Sequence, residues 1–105
     1  MDYAEIRRCL VNYRFSDNAR REMEAEPLGR IHVEEVLQAL DTGEIIEEYT
    51  EDQPYPSSLI MGRTSTGRPL HIVAAPVSAE EQLIIITTYQ PDPELWEPDF
   101  RRRKR

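Results

Sequence analysis

The sequence predicts an α+β domain in which two or three N-terminal helices pack on a four-stranded, mainly antiparallel β-sheet, and three observations carry that prediction. Val33, Val36, Leu37 and Leu40 follow the i, i+3, i+4, i+7 rule of an amphipathic helix, the clearest of three helical stretches, all in the first 43 residues. Residues 83–89, Leu-Ile-Ile-Ile-Thr-Thr-Tyr, hold six β-branched or aromatic side chains in seven positions, the composition of a strand. Between them, two apolar runs flank Ser65-Thr-Gly-Arg68, where Gly67 is free to take the positive φ of a tight connection, so the runs read as an antiparallel hairpin.

The elements follow in order. Ile6, Leu10 and Val11 share one face of a first helix, with Asp2 as its cap. Residues 12–15 break that pattern. Ser16 is a good N-cap for a second helix running to about Ala25, with Ala19 and Met23 four apart on the core side and Asp17 at the positive end of the dipole. Pro27 and Gly29 close it. The third helix starts at His32, with Ile31 and Val36 in the positions of a hydrophobic staple and Glu34 and Glu35 in the first turn. Gly43 stands where a left-handed residue would end it. Strands are expected over residues 44–49, 58–64, 69–77 and 83–90, with the proline-rich 52–56 as a loop. The near-continuous apolarity of the last strand predicts a central position. The apolar set Leu59, Met61, Leu70, Ile72 and Ile85 predicts the helix-covered face.

Composition narrows the function classes. A chain of 105 residues fits one domain, expected over 1–100, and buries roughly 65% of its unfolded surface without staples. The lone Cys9 makes no internal disulfide and reads as a small buried hydrophobe, and no zinc-ligand spacing occurs, so neither metal nor cofactor is expected. No apolar run is long enough for a membrane span and no signal-peptide pattern opens the chain, so a cytoplasmic protein without membrane partners is expected. Five of the thirteen basic residues lie in 101–105, leaving residues 1–100 with eight basic against twenty acidic residues, a net charge of −12. The acidic body disfavours nucleic acid in general. The basic end reads as a disordered tail, or as a contact for acidic surface on its own or another chain.

Strand pairing nominates one site. Centring the first turn on Thr66-Gly67 and the second on Ala79-Glu80 puts Gly62 and Thr88 on either side of His71, on one sheet face, the glycine leaving open space and the threonine hydroxyl orienting the ring. Metal-free cleavage of RNA through the ribose 2′-hydroxyl needs a proton acceptor, a proton donor and a cation beside the phosphate. His71 is the acid/base candidate, Arg20, Arg63 or Arg68 the cation, and Tyr89 a second donor, although this register puts Arg63 and Tyr89 on the opposite face. The competing reading makes His71 a partly buried strand residue bonded to Thr88. The His71 face also carries Ile60, Val73, Ile84 and Ile86, apolar surface that either a C-terminal clamp of Leu95, Trp96 and Phe100 or a second subunit must cover.

The segments Tyr13-Arg-Phe-Ser16, Gly43-Glu-Ile-Ile-Glu-Glu-Tyr49, Pro54-Tyr-Pro-Ser-Ser-Leu59, Gly67-Arg-Pro-Leu-His-Ile-Val73 and Ile86-Thr-Thr-Tyr-Gln-Pro-Asp-Pro93, with Trp96 and Phe100, resemble the bacterial family called domain of unknown function 4258. That family is similar in layout to BrnT-type and RelE-like toxin ribonucleases, which implies helices ahead of an antiparallel sheet. Where the family commonly has Phe-Ser-x-His-Ala, this chain has Phe15-Ser-Asp-Asn-Ala19, so Asn18 replaces a histidine and a two-histidine acid/base mechanism is unavailable. Two functions follow as expectations. The first is a non-catalytic interaction or scaffold domain of a toxin-like family, with a homodimer or an antitoxin-like protein as partner. The second is a metal-independent ribonuclease with His71 catalytic, assisted by Thr88 and Arg20, and only this reading needs RNA as a partner.

Overall fold

The computed structural model describes all residues from Met1 to Arg105. Three helices are present, α1 (Tyr3–Cys9, prolonged by the 3-10 turn Leu10–Asn12), α2 (Asp17–Ala25) and α3 (Val33–Asp41). Each begins where a capping residue stands. The Asp2 carboxylate accepts from the Glu5 N–H at 3.1 Å, the Ser16 hydroxyl accepts from the Ala19 N–H at 3.0 Å, and the His32 N–H donates to the Glu35 carboxylate at 3.0 Å. No helix is long and apolar enough to cross a membrane.

The sheet has five strands, not four, and is mixed: β1 (Tyr13–Phe15), β2 (Glu44–Tyr49), β3 (Ser57–Arg63), β4 (Pro69–Val77) and β5 (Gln82–Tyr89), in the spatial order β1-β5-β4-β3-β2. The last four are the expected antiparallel set. The added strand comes from the stretch that only looked like a break between helices. It runs parallel to β5, Tyr13 facing Leu83 and Phe15 facing Ile85, and it satisfies backbone groups that β5 would otherwise present as an open edge.

Both registers around His71 differ from the expected ones. The first turn spans residues 64–68 rather than two residues, closed by Gly67 N–H to Thr64 O and Thr64 N–H to Arg68 O, both at 2.9 Å, with Gly67 at φ +88°. An odd-length connection shifts the pairing by one, so Met61 faces His71 and Gly62 faces Leu70. The second turn has the expected register next to it, Ala75 facing Ile84, but a bulge at Ile86 shifts the rest, so that Tyr89 faces His71 and Thr88 faces Ile72. The bulge is held from outside: the Ser16 N–H donates to the Ile85 carbonyl at 3.0 Å and its hydroxyl to the Ile86 carbonyl at 2.7 Å.

The faces are re-sorted accordingly. Helix-side residues of the sheet are Ile60, Leu70, Ile72, Ala74, Leu83 and Ile85, which join Ile6, Phe15, Met23, Val36 and Leu40 in one buried core. Leu59 and Met61, expected on that side, lie on the His71 face, and Ile60 has changed places with them. Gly62 is no opening beside an imidazole. It is where α3 crosses β3, and a Cβ there would stand 1.9 Å from the Ala39 carbonyl oxygen. Gly43 likewise serves closeness rather than left-handedness, since a Cβ would stand 2.7 Å from Ile60 Cγ2 and against the Tyr3 hydroxyl, which donates to the Leu40 carbonyl.

Candidate functional site

On the face away from the helices, His71 is fully buried. Its Nε2 lies 2.7 Å from the Phe100 carbonyl oxygen and its Nδ1 3.2 Å from the Tyr89 hydroxyl. A carbonyl only accepts, so this geometry assigns the proton to Nε2 and leaves Nδ1 to accept from Tyr89. The Trp96 ring packs edge-on against the imidazole, centroids 4.4 Å apart, and is itself buried. Burial pushes the His71 pKa below its ordinary value, opposed by the Phe100 carbonyl and Glu47. At neutral pH the ring is uncharged.

A second layer of polar groups rims it. Glu47 accepts from the Tyr49 hydroxyl at 2.7 Å and takes two bonds from the Arg103 guanidinium, 2.9 Å to Nε and 3.1 Å to Nη2. Those bonds hold the Glu47 carboxyl below the usual range, while burial and then Glu47 push the Tyr49 phenol up to about 12. Burial also raises Tyr89. Arg103 in turn lies 4.6 Å over the Trp96 ring. His71, Tyr89, Glu47, Tyr49 and Arg103 thus form a cluster of displaced proton affinities on one sheet face, a pattern that marks functional sites and also structural ion-pair networks.

The other nominated residues do not join it. The Thr88 side chain is on the helix side of the sheet, where its hydroxyl donates to the His71 carbonyl at 2.8 Å and never meets the ring. Arg20 projects from α2, which packs against β5 on the core side, so the sheet separates it from His71. There it lines a groove of about 410 Å³ together with Tyr13, Arg30 and His32. Arg68 is consumed by structure: Nε donates to Gln90 at 2.7 Å, and Nη1 contacts both Glu35 oxygens at 3.2 Å and the Arg30 carbonyl at 3.1 Å. Arg63 and Tyr89, assigned by sequence to the opposite face, both belong to the His71 face, Arg63 lying 5.8 Å over the Phe100 ring.

What covers the site is the C-terminal segment. Trp96 and Phe100 clamp it as expected, whereas Leu95 is 63% exposed. The basic stretch, expected either as a disordered tail or as a contact for acidic surface, turns back over β2, with Arg101 paired to Glu44 and Arg103 to Glu47, and Trp96 bridges antiparallel to Arg103. Glu47, Tyr49 and Arg103 went unnoticed in the sequence. The signal available was charge complementarity between residues 101–105 and the glutamates of β2.

No match was found to a curated protein or to a solved structure. A family model described as domain of unknown function (DUF4258) matches residues 15–90, which run from the end of β1 to the residue after β5 and include His71, Tyr89, Glu47 and Tyr49 but not the covering segment. The chain therefore belongs to the DUF4258 family.

Proposed function

We propose that this is a non-catalytic interaction domain of the family, built to hold a protein segment against the His71 face of its sheet. The observation that carries this reading is the state of His71: buried, neutral, and bonded at both ring nitrogens within the protein. A general acid or base needs one nitrogen free to reach a substrate proton, and a phosphate-facing cation beside it. Arg20 lies beyond the sheet and Arg68 is saturated, the two arginines on the His71 face are engaged, Arg103 with Glu47 and Arg63 with the Gly67 carbonyl at 3.0 Å, and Asn18 stands where the resembled family has a second titratable ring. The acidic body further disfavours an RNA ligand.

The ribonuclease reading retains one observation in its favour, the gathering of His71, Tyr89, Glu47 and Tyr49 on one face. Both readings meet in one experiment. Labelled RNA incubated with the protein in EDTA from pH 5 to 8, beside a folded His71→Ala variant, is expected to survive equally in both. Cleavage that is lost in the variant and follows a single ionisation would overturn the non-catalytic reading.

A further inference from the structure

Residues 92–104 are attached to the body in an unusual manner. Every backbone-to-backbone hydrogen bond of the segment is internal: Leu95 N–H and Trp96 N–H to Asp92 O, Glu97 N–H to Arg102 O at 2.8 Å, Phe100 N–H to Glu97 O at 2.8 Å, and Lys104 N–H to Leu95 O at 2.9 Å. Phe100 turns the hairpin at φ +56°. None extends the sheet ladder. Each joint to the body involves a side chain: Trp96 on His71, His71 Nε2 donating to the Phe100 carbonyl, Arg103 on Glu47, Arg101 on Glu44, and Arg63 over Phe100. The segment contributes nothing to the core on the helix side, and it lies outside the family match. It is seated as a ligand is seated, by one aromatic anchor at the centre and two arginines on an acidic rim.

We propose that the sheet face centred on His71, with Glu44 and Glu47 as its rim, is a docking site for a protein segment carrying one aromatic anchor and flanking arginines, and that the chain's own residues 92–104 occupy it as a displaceable strap. The inference rests on the interaction-domain reading and gives it a ligand chemistry. Glu47 accepts two parallel N–H bonds, which suits arginine rather than lysine. The imidazole edge, with Met61 and Tyr89 beside it, accepts the edge-on ring. The arginine joints are partly exposed and therefore screened by salt, so the strap is the part of the fold most easily lifted. A partner segment competes with a tethered occupant whose effective concentration is on the order of millimolar, and it succeeds by adding contacts the strap lacks.

Trp96 is the single tryptophan, so its emission reports the strap directly. The probe is a synthetic peptide with the sequence of residues 92–105 in which the tryptophan is replaced by phenylalanine, titrated into the full chain. Trp96 emission is expected to move to the red and saturate, with an apparent Kd on the order of the millimolar effective concentration of the strap it displaces. In an Arg103→Gln variant the same peptide should bind about twofold more tightly at low salt, because the competing strap is loosened, and adding Glu47→Gln should remove that gain. Saturating peptide that leaves Trp96 emission unmoved in the Arg103→Gln variant, or binding indifferent to Glu47→Gln, overturns the proposal. Amide exchange of the unaltered protein gives an independent reading. Residues 94–104 should open faster as salt rises while β4 and β5 do not, and exchange of the strap only with global unfolding overturns the proposal as well. RNA cleavage by either protein would defeat the non-catalytic reading separately, since neither readout here depends on it.

Discussion

The two faces of one sheet are held by different physics. On the helix side, apolar residues from every helix and strand share a single core, and the backbones come so close that two glycines are required where α3 and its C-terminal end meet β3. On the other side, a hairpin rests on titratable groups through one ring stack, one carbonyl and a few ion pairs. The first arrangement is indifferent to salt and intolerant of a methyl group. The second tolerates change in shape but answers to pH and ionic strength. The lesson is that burial fixes the fold, whereas the polar face is where the molecule can be occupied, released or tuned.

The contrast can be broken hardest at Gly62. Gly62→Ala puts a methyl group inside the contact distance of the Ala39 carbonyl, and the rigid helix backbone cannot yield cheaply, so a loss of about 3 kcal/mol or more is expected in equilibrium denaturation. A loss under about 0.5 kcal/mol would mean that α3 is not pressed on β3 as described. Next in size is Ser16→Ala, which removes both the cap on Ala19 and the bond to the bulge carbonyl of Ile86 and should cost about 1 to 2 kcal/mol. Ser16→Thr, which keeps both bonds, is expected to recover most of it.

On the polar face the effects are smaller and conditional. The folded-state pKa of His71 is depressed, so the unfolded chain takes up a proton first as the pH falls. The stability linked to His71 is full above the ordinary value of 6.5 and is lost as the pH drops from there through the depressed value of the folded state. Denaturation midpoints measured from pH 8 to pH 5 should decline in the native protein and decline less in His71→Gln; identical slopes would show that the imidazole is not buried neutral. The smallest effect is expected from Arg103→Gln, about 0.5 kcal/mol at low salt and none near 0.5 M, because the Arg103 side chain is largely exposed and its pairing with Glu47 is screened. An equal loss at both salt concentrations would place the Arg103 contribution in packing on Trp96 instead.

Much of the helix-side architecture was legible because it rests on local rules. Asp2, Ser16 and His32 cap where capping chemistry puts them, and Ile31 and Val36 are both buried around the start of α3. What stayed hidden depends on an odd or even count or on distant pairing. Thr64 and Arg68 close a five-residue turn that resembles a two-residue one in composition, and Ile86 looks like any other isoleucine in its strand although it carries the bulge. Each shifts a register by one, and together they exchange Thr88 for Tyr89 beside His71 and turn Gly62 toward the helices. The structure therefore gives His71 other neighbours than the expected ones, Met61 and Tyr89 in place of Gly62 and Thr88. Tyr13, Arg14 and Phe15 carry no alternation that announces a strand, because three residues are too few to show a period.

That short parallel strand also governs the order in which the chain can assemble. Tyr13 and Phe15 have no partner until Leu83 and Ile85 exist, about seventy positions later, and α2 has nothing to lie on until β5 is in place. During synthesis the helical third must wait, with Ile6, Cys9, Ala19 and Met23 unburied, until nearly the whole sheet has emerged. Closure across so long a separation raises the contact order, so folding is expected to be slow relative to a helical bundle of the same size, and the β1–β5 junction ties the first residues of the domain to its last strand.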